Sequence, residues 1–344
     1  MRRAILLPLA GVLLAVGAGW WWLQTVGPGA EMTRAAQQFL ASLAGEQSKK
    51  ATLGYDDPKR VNWHFIPLAE RKGLQIKEMN GDQRKLAHAV LHSALSQVGY
   101  DKASGIMELE KILRELESGM PGKPIRDPER YYFTIFGTPH LESKWGLSIE
   151  GHHMSLNFVV SGGKVISSTP SMFGANPAEV KTEVAGAPKI GTRLLRDEEE
   201  RAFALVNSLT DEQKKLAIIA DKAPAEVREA GKPQPPDSAA EGIPASKLTE
   251  AQVKMLWTLL EAYAHNVPKE VGLARLDAVR EAGISKVHFA WAGATKPGVG
   301  HYYRVQGPTF QVEFVNTQPD AAGNIANHIH CMWRQLGGDF AAAK

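Results

Sequence analysis

Leu147-Ser148-Ile149-Glu150-Gly151-His152-His153-Met154-Ser155-Leu156-Asn157-Phe158 and Tyr303-Arg304-Val305-Gln306-Gly307-Pro308-Thr309-Phe310-Gln311-Val312-Glu313-Phe314 are written on one pattern. Ile149/Val305, Glu150/Gln306, Gly151/Gly307, Leu156/Val312 and Phe158/Phe314 fall at matching places, and apolar residues recur as they do along a β-strand. The glycine in the middle of each stretch predicts a bulge or a close backbone approach, where a long strand bends. Upstream, Tyr132-Phe133-Thr134-Ile135-Phe136-Gly137 is matched by His288-Phe289-Ala290-Trp291-Ala292-Gly293, both rich in aromatic or β-branched residues and both ended by glycine.

The correspondence extends into helical sequence. Ser42-Leu43-Ala44-Gly45-Glu46-Gln47 is echoed by Ser208-Leu209-Thr210-Asp211-Glu212-Gln213, and Gln83-Arg84-Lys85-Leu86 by Gln252-Val253-Lys254-Met255. The latter pair open helices whose apolar positions lie three and four apart, Leu86, Val90, Leu91 and Ala94 in one and Met255, Leu259, Leu260 and Tyr263 in the other. Asn80 and Thr249 are the N-cap candidates. The same order occurring twice predicts an α+β fold: two diverged copies of a helix-helix-helix-antiparallel strands unit related by a pseudo-two-fold. Helix runs followed by strand runs argue against a doubly wound parallel sheet. The expected division is 1–30 as export segment, 31–190 as first repeat and 191–344 as second, with the boundary near Gly186 to Arg196. The proline-rich stretch from Ala223 to Pro244 reads as a surface excursion.

The totals are those of a globular chain. It has 344 residues, 44% hydrophobic, enough to bury one large or two ordinary cores. A net charge of +3, with Lys and Arg scattered, offers no basic stripe for nucleic acid. The one cysteine, Cys331, excludes an internal disulfide. Arg2 and Arg3 precede an uncharged run from Ala4 to Leu23, which predicts an export signal. Small residues at Val16 and Ala18 offer a cleavage place, whereas Trp20, Trp21 and Trp22 suit the interfacial belt of a retained anchor. The expected location is periplasmic, extracellular or membrane-anchored through that segment, with no other contact with a membrane.

Of 11 histidines, two pairs stand out. On a strand, His328 and His330 share a face about 7 Å apart, so both imidazoles can converge on one ion while Ile329 packs behind. His152 and His153 are adjacent and diverge on a regular strand, so one ligand and one supporting histidine are expected of them. Three neutral imidazoles with an open position suit zinc, copper or iron. The opposing reading is that the histidines only donate hydrogen bonds. Where one half carries histidines, the other carries Pro308-Thr309 or residues around Ser168 and Thr169, which points to a single site built from both halves.

Glu150 and Glu313 are candidates for a carboxylate ligand or general base, or else ordinary strand positions. Arg304 and Arg334 have forked donors that could orient an anionic or carbonyl substrate, or pair with those carboxylates. Cys331, Met154 and Met332 are soft donors near the histidines, although alternation turns Cys331 away from its neighbours. His301, Tyr302, Tyr303 and Trp333 suit aromatic packing, and His140 is a weaker ligand candidate.

Gly151-His152-His153-Met154-Ser155-Leu156-Asn157-Phe158, His301-Tyr302-Tyr303-Arg304-Val305-Gln306-Gly307-Pro308-Thr309-Phe310, Asn316-Thr317-Gln318 and Ala326-Asn327-His328-Ile329-His330-Cys331-Met332-Trp333-Arg334 resemble the signature segments of domain-of-unknown-function family 3500. The resemblance covers nearly the whole exported part and implies a bacterial exported protein, without implying an activity. Cys331-Met332 departs from the small or polar and aliphatic residues expected there, which bears on any preference for copper. The functional expectation is therefore an exported metal-binding protein, a hydrolase or oxidoreductase acting on a small molecule through His328, His330 and His152 or His153. The alternative is a non-enzymatic small-ligand-binding module. Oligomeric state is not legible.

Overall fold

A computed structural model describes residues 27–342. The expected export segment, up to residue 26, lies outside the described residues. Eight α-helices are present among these: α1 (Pro28–Ala41), α2 (Gly45–Ala51), α3 (Gly81–Ala94), α4 (Gln97–Leu116), α5 (Arg196–Ser208), α6 (Asp211–Ala217), α7 (Glu250–Ala264) and α8 (Lys269–Ala282). None is long and apolar enough to cross a membrane.

The strands are β1 (Thr52–Leu53), β2 (Leu74–Gln75), β3 (Tyr132–Phe136), β4 (Lys144–Gly151), β5 (Met154–Ser161), β6 (Lys164–Ser167), β7 (Ser171–Ala175), β8 (Ile218–Ala220), β9 (Ile243–Pro244), β10 (His288–Gly293), β11 (His301–Gln306), β12 (Phe310–Asn316) and β13 (Ile329–Gln335). All 13 join one mixed sheet in the order β1-β3-β4-β5-β7-β13-β12-β11-β10-β8, with β2, β6 and β9 pairing onto β3, β5 and β10. The fold class is α+β, as the sequence predicts.

Two sequence expectations are corrected. Leu147–Phe158 and Tyr303–Phe314 are each a hairpin rather than one long bent strand. Gly151 pairs with Met154 across the turn His152-His153, and the Gly307 N–H donates to the Phe310 carbonyl across Pro308-Thr309. Strand periodicity passes unbroken through a two-residue turn, so the pattern alone does not reveal the reversal. Each half also holds four helices, not three. The extra ones, α2 and α6, have 7 residues each, too short for a 3.6-residue period to register. The last helix before the strands of the first half, α4, has 20 residues.

Hydrogen bonding repeats between the halves in detail. Phe133 faces Ile149, which faces Leu156; likewise Phe289 faces Val305, which faces Val312. Parallel pairing puts Thr52 opposite Ile135 and Ile218 opposite Trp291. Each half ties its first three helices together by a reciprocal amide pair. Gln83 Nε2 donates to Gln47 Oε1 (2.8 Å) and to the Ser42 carbonyl (2.9 Å), while Gln47 Nε2 returns to Gln83 Oε1 (3.1 Å). Gln252 Nε2 donates to Gln213 Oε1 (2.9 Å) and to the Ser208 carbonyl (2.8 Å), and Gln213 Nε2 returns to Gln252 Oε1 (2.9 Å). Both buried glutamines also complete a capping box, with Asn80 or Thr249.

Alternation divides the sheet into two faces. Phe133, Ile149, Leu156, Phe173, Cys331, Trp333, Val312, Tyr303 and Phe289 belong to the large apolar cluster under the helices. The other face carries Glu150, Ser155, His330, Arg334, Glu313 and Arg304, all buried. Loops cover it: Trp63, Phe65, Ala223, Val227 and Phe340 pack with Met172, Met332, Tyr302 and Val315 in a second cluster. The stretch Ala223 to Pro244 is therefore a cover over the sheet, not an excursion away from it. A loop of that length in a compact fold is uncommon unless it has such a role.

Candidate metal centre

The β4–β5 turn, β7 and the start of β13 meet where β7 pairs with β13. His153 is a turn residue with φ +62°, a left-handed conformation that favours glycine or asparagine and strains a histidine. Two main-chain bonds hold it there, from the His153 N–H to the Phe65 carbonyl (2.8 Å) and from the Gly174 N–H to the His153 carbonyl (2.7 Å). Gly174 faces His330 across the β7–β13 pair. A Cβ at Gly174 would stand 2.9 Å from His153 Cδ2 and 3.1 Å from His330 Cδ2, so the missing side chain is the space the two rings occupy.

Three imidazoles converge. His153 Nε2 lies 2.8 Å from His328 Nε2, which lies 3.1 Å from His330 Nε2. The three ligand atoms lie within 4.8 Å of one another. His328 sits one residue before β13, so its ring reaches the centre from the loop and not from the strand. One Nε2 carries either a hydrogen or a lone pair, so His328 cannot make a straight hydrogen bond to two nitrogens at once. A cation shared by the three removes that conflict. Nitrogens at about 2.1 Å from a tetrahedral ion stand about 3.4 Å apart, so a small opening of the rings accommodates it.

The outer nitrogens are held in the sense a metal requires. His330 Nδ1 lies 2.8 and 2.9 Å from the Glu226 carboxylate oxygens, which can only accept; Nδ1 therefore carries the hydrogen and Nε2 the lone pair. His328 Nδ1 lies 3.4 Å from the Asn176 side-chain amide, whose oxygen has no partner among the described residues. Exchanging that amide's O and N lets Nδ1–H donate to oxygen and frees His328 Nε2 as well. Phe65 packs on the His330 ring with centroids 4.7 Å apart.

Burial sets the protonation. His153 is held well below the usual histidine range, first by desolvation and then by the neighbouring imidazoles. His328 is pushed down to about 2, again first by desolvation and then by His330. Both rings are neutral near pH 7, the form that binds a metal.

His152 takes another part. Its ring stacks on His153 with centroids 3.7 Å apart, and its Nδ1 meets Glu110 Oε1 at 2.5 Å. Arg126, paired with Glu117 at 2.8 Å, reaches His152 Nε2 at 3.3 Å. Glu110, His152 and His153 also present ligand atoms within 4.8 Å of one another. The Arg126 guanidinium repels a cation from that second group, which leaves the three-histidine group as the better cation site. Gly151 lets this corner close, since a Cβ there would stand 2.2 Å from the Tyr131 ring.

The remaining sequence candidates are placed away from the three rings. Glu150 is buried in an ion pair with Lys72 at 2.7 Å. Glu313 is buried with Arg228 (2.8 Å) and the Tyr302 hydroxyl (2.8 Å). Glu226 and Arg228 belong to one loop, so Glu313 anchors the segment whose neighbour holds His330. Arg304 pairs with Glu241. Arg334 is buried against Asp339 at 2.7 Å and lies over the Trp63 ring. Cys331 and Met154 pack under the helices, and Met332 packs among the loops. His301 stacks on Trp291 and meets Glu199 at 3.2 Å. Sequence reasoning missed Glu226, Glu110, Arg126 and Asn176. Only the unusual length of the Ala223–Pro244 loop signalled any of them.

A cleft of about 870 Å³ is walled by Lys49, Lys59, Arg71, Lys72, Lys123 and Arg130 among others, with Glu70 and Glu78 as its acids, and none of the three converging histidines lines it. A narrow neck bounded by Arg71, Glu110, Arg130, Tyr132 and His152 adjoins it. Arg71 and Arg130 are satisfied by main-chain carbonyls, of His64 and Ile66 and of Ala69, rather than by carboxylates. Burial draws the Arg71 pKa down despite Glu150 nearby.

The family model described as "Protein of unknown function (DUF3500)" matches residues 26–342. The chain belongs to this family. No curated protein and no solved structure matches the DUF3500 chain. The segments quoted above for the resemblance hold all three converging histidines, whereas Glu226 lies in the cover loop between them.

Proposed function

We propose that this DUF3500 protein is an exported metalloenzyme whose transition-metal ion is held by His153, His328 and His330. The convergence of three Nε2 atoms, with His330 oriented by Glu226, carries the reading. Such an ion supplies Lewis-acid chemistry if it is zinc and one-electron chemistry if it is copper or iron. Three nitrogens, no sulfur and a carboxylate-oriented imidazole favour zinc with one position left for substrate or water. Glu110 and Arg126 fix the His152 ring, which in turn backs His153. Arg71, Arg130, Lys59 and Lys123 attract a small anionic substrate into the cleft, whose neck reaches His152. Arg304 and Arg334 are engaged elsewhere, so the orienting role passes to the cleft residues.

The reading includes a duplication: residues 31–190 and 191–344 as diverged copies, related by a pseudo-two-fold through the Ser171–Trp333 pair. Support comes from the matching registers and the two reciprocal glutamine pairs. One centre is then assembled from both copies, with His153 from the first and His328 and His330 from the second.

Elemental analysis of protein purified without chelator or affinity tag tests the centre. About one equivalent of zinc, copper or iron is expected, and none in a folded His328→Ala/His330→Ala variant. Protein that is metal-free and does not take up Zn²⁺, Cu²⁺ or Fe²⁺ on titration overturns the proposal. If such protein still binds citrate, and Lys59→Ala/Lys123→Ala weakens that binding, the cleft belongs to a binding module instead.

A further inference from the structure

The far end of the β7–β13 pair holds a second cavity, of about 360 Å³, between α8, β6 and the turn that precedes β12. Its walls are largely apolar, with Val165, Ile166, Val271, Ala274, Phe310 and Trp333 among them. One strong polar group enters it. Arg275 Nε donates to Ser168 Oγ (3.1 Å), and its NH2 donates to the same oxygen (2.8 Å) and to the Ser168 carbonyl (2.6 Å). The guanidinium carbon lies 5.3 Å from the centre of the Trp333 ring.

This guanidinium lacks a counter-ion of its own. The acid that acts on it, Asp339, is paired to Arg334 at 2.7 Å. Arg275 makes hydrogen bonds only to Ser168 among the described residues, so its NH1 edge is free. Arg275 is half-buried, and the packing around it draws its pKa down to about 9. At neutral pH it remains charged. Ser168 Oγ accepts from the guanidinium, which leaves its own hydroxyl hydrogen to donate. The other charged wall residues are Lys164 and Glu270, one of each sign and both exposed.

We propose that this cavity binds a small organic monocarboxylate with an apolar body, its carboxylate meeting the free NH1 edge of Arg275 and the Ser168 hydroxyl. One uncompensated cation matches one negative charge. Glu270 at the wall and the scarcity of further donors count against a phosphate dianion. An apolar enclosure with few converging polar groups is the usual make-up of a small-molecule site, and the indole face beneath the guanidinium suits an aromatic or aliphatic body.

Isothermal titration of the full chain with phenylacetate and octanoate, against neutral phenylacetamide, tests this. Saturable one-site binding of a carboxylate is expected, at least tenfold tighter than the amide. Arg275→Met should weaken it at least tenfold while metal content stays unchanged. Ala274→Phe, at an exposed wall position on α8, should block the cavity without touching the guanidinium, and it keeps the test open if Arg275→Met does not fold. Binding of neither carboxylate, equal binding of the amide, or wild-type affinity in the Ala274→Phe variant overturns the proposal.

Discussion

The two ends of the β7–β13 pair share a backbone and differ in chemistry. At one, the Gly174 N–H donates to the carbonyl of His153, the second residue of its hairpin turn; at the other, the Leu336 N–H donates to the carbonyl of Thr309, the second residue of its own turn. Three residues before Trp333 stands His330, and three before its partner Ser171 stands Ser168. The first end gathers neutral imidazoles around a point, and the second presents a single guanidinium over an indole. The two ends match in main-chain bonding and differ in side chains, so the sheet sets the location and the residues placed on it set the chemistry.

The largest effect that tests this contrast is the loss of metal. His328→Ala/His330→Ala should abolish stoichiometric binding, whereas Thr309→Ala, at the matching turn position, should leave metal content unchanged. Elemental analysis of both proteins distinguishes the ends. Glu226→Gln should weaken metal affinity by about 10- to 100-fold, or about 1.4–2.8 kcal/mol, because it replaces the charged carboxylate that accepts from His330 Nδ1–H by a neutral amide, a weaker acceptor that also brings a competing donor. Competition with a chromogenic chelator measures it, and an unchanged affinity would show that Glu226 serves the loop alone.

The shared frame has its own test. Gln83→Met and Gln252→Met each break one reciprocal amide pair and a capping bond, so each should cost about 1–2 kcal/mol in chemical denaturation. Costs that differ severalfold would mean the two networks are not equivalent in energy. Acid should act on the imidazole end. The folded-state pKa values of His153 and His328 lie below the ordinary 6.5, so the unfolded chain takes protons that the native metal-free protein refuses. Stability should be unaffected by these rings above pH 6.5. It should fall as pH drops below that value, by up to about 1.4 kcal/mol per pH unit per ring. His328→Asn should flatten that slope between pH 6.5 and 5. The smallest effect on stability concerns the turn: His153→Asn keeps a polar side chain of a type tolerated in the left-handed region and should shift the stability of the metal-free protein by no more than about 1 kcal/mol in chemical denaturation while removing a metal ligand.

Much of this was legible in the sequence because it is periodic or local. Asn80 and Thr249 are the caps expected, and β3 and β10 lie where the aromatic and β-branched runs placed them. The first hairpin turn was not legible, since His152-His153 lacks the glycine or asparagine that marks a tight turn; Gly307-Pro308 does mark the second, and the strand pattern running through it hid that signal. The strain that hides the first turn is tied to the ring that the site uses. Glu226 and Glu110 escaped for another reason: they lie 104 and 42 residues from the histidines they hold. No local pattern encodes a contact that only the packed loop and α4 create.

The position of β13 constrains the order in which this molecule can come into being. It is the last-made of the 13 strands, yet it lies in the interior of the sheet, between β7 and β12. Until it inserts, the strands before it form two separate sheets, each with a long unpaired edge open to other chains. A nascent chain halted short of Ile329 would therefore be prone to associate with its neighbours, and chaperoning is most needed just before that strand emerges.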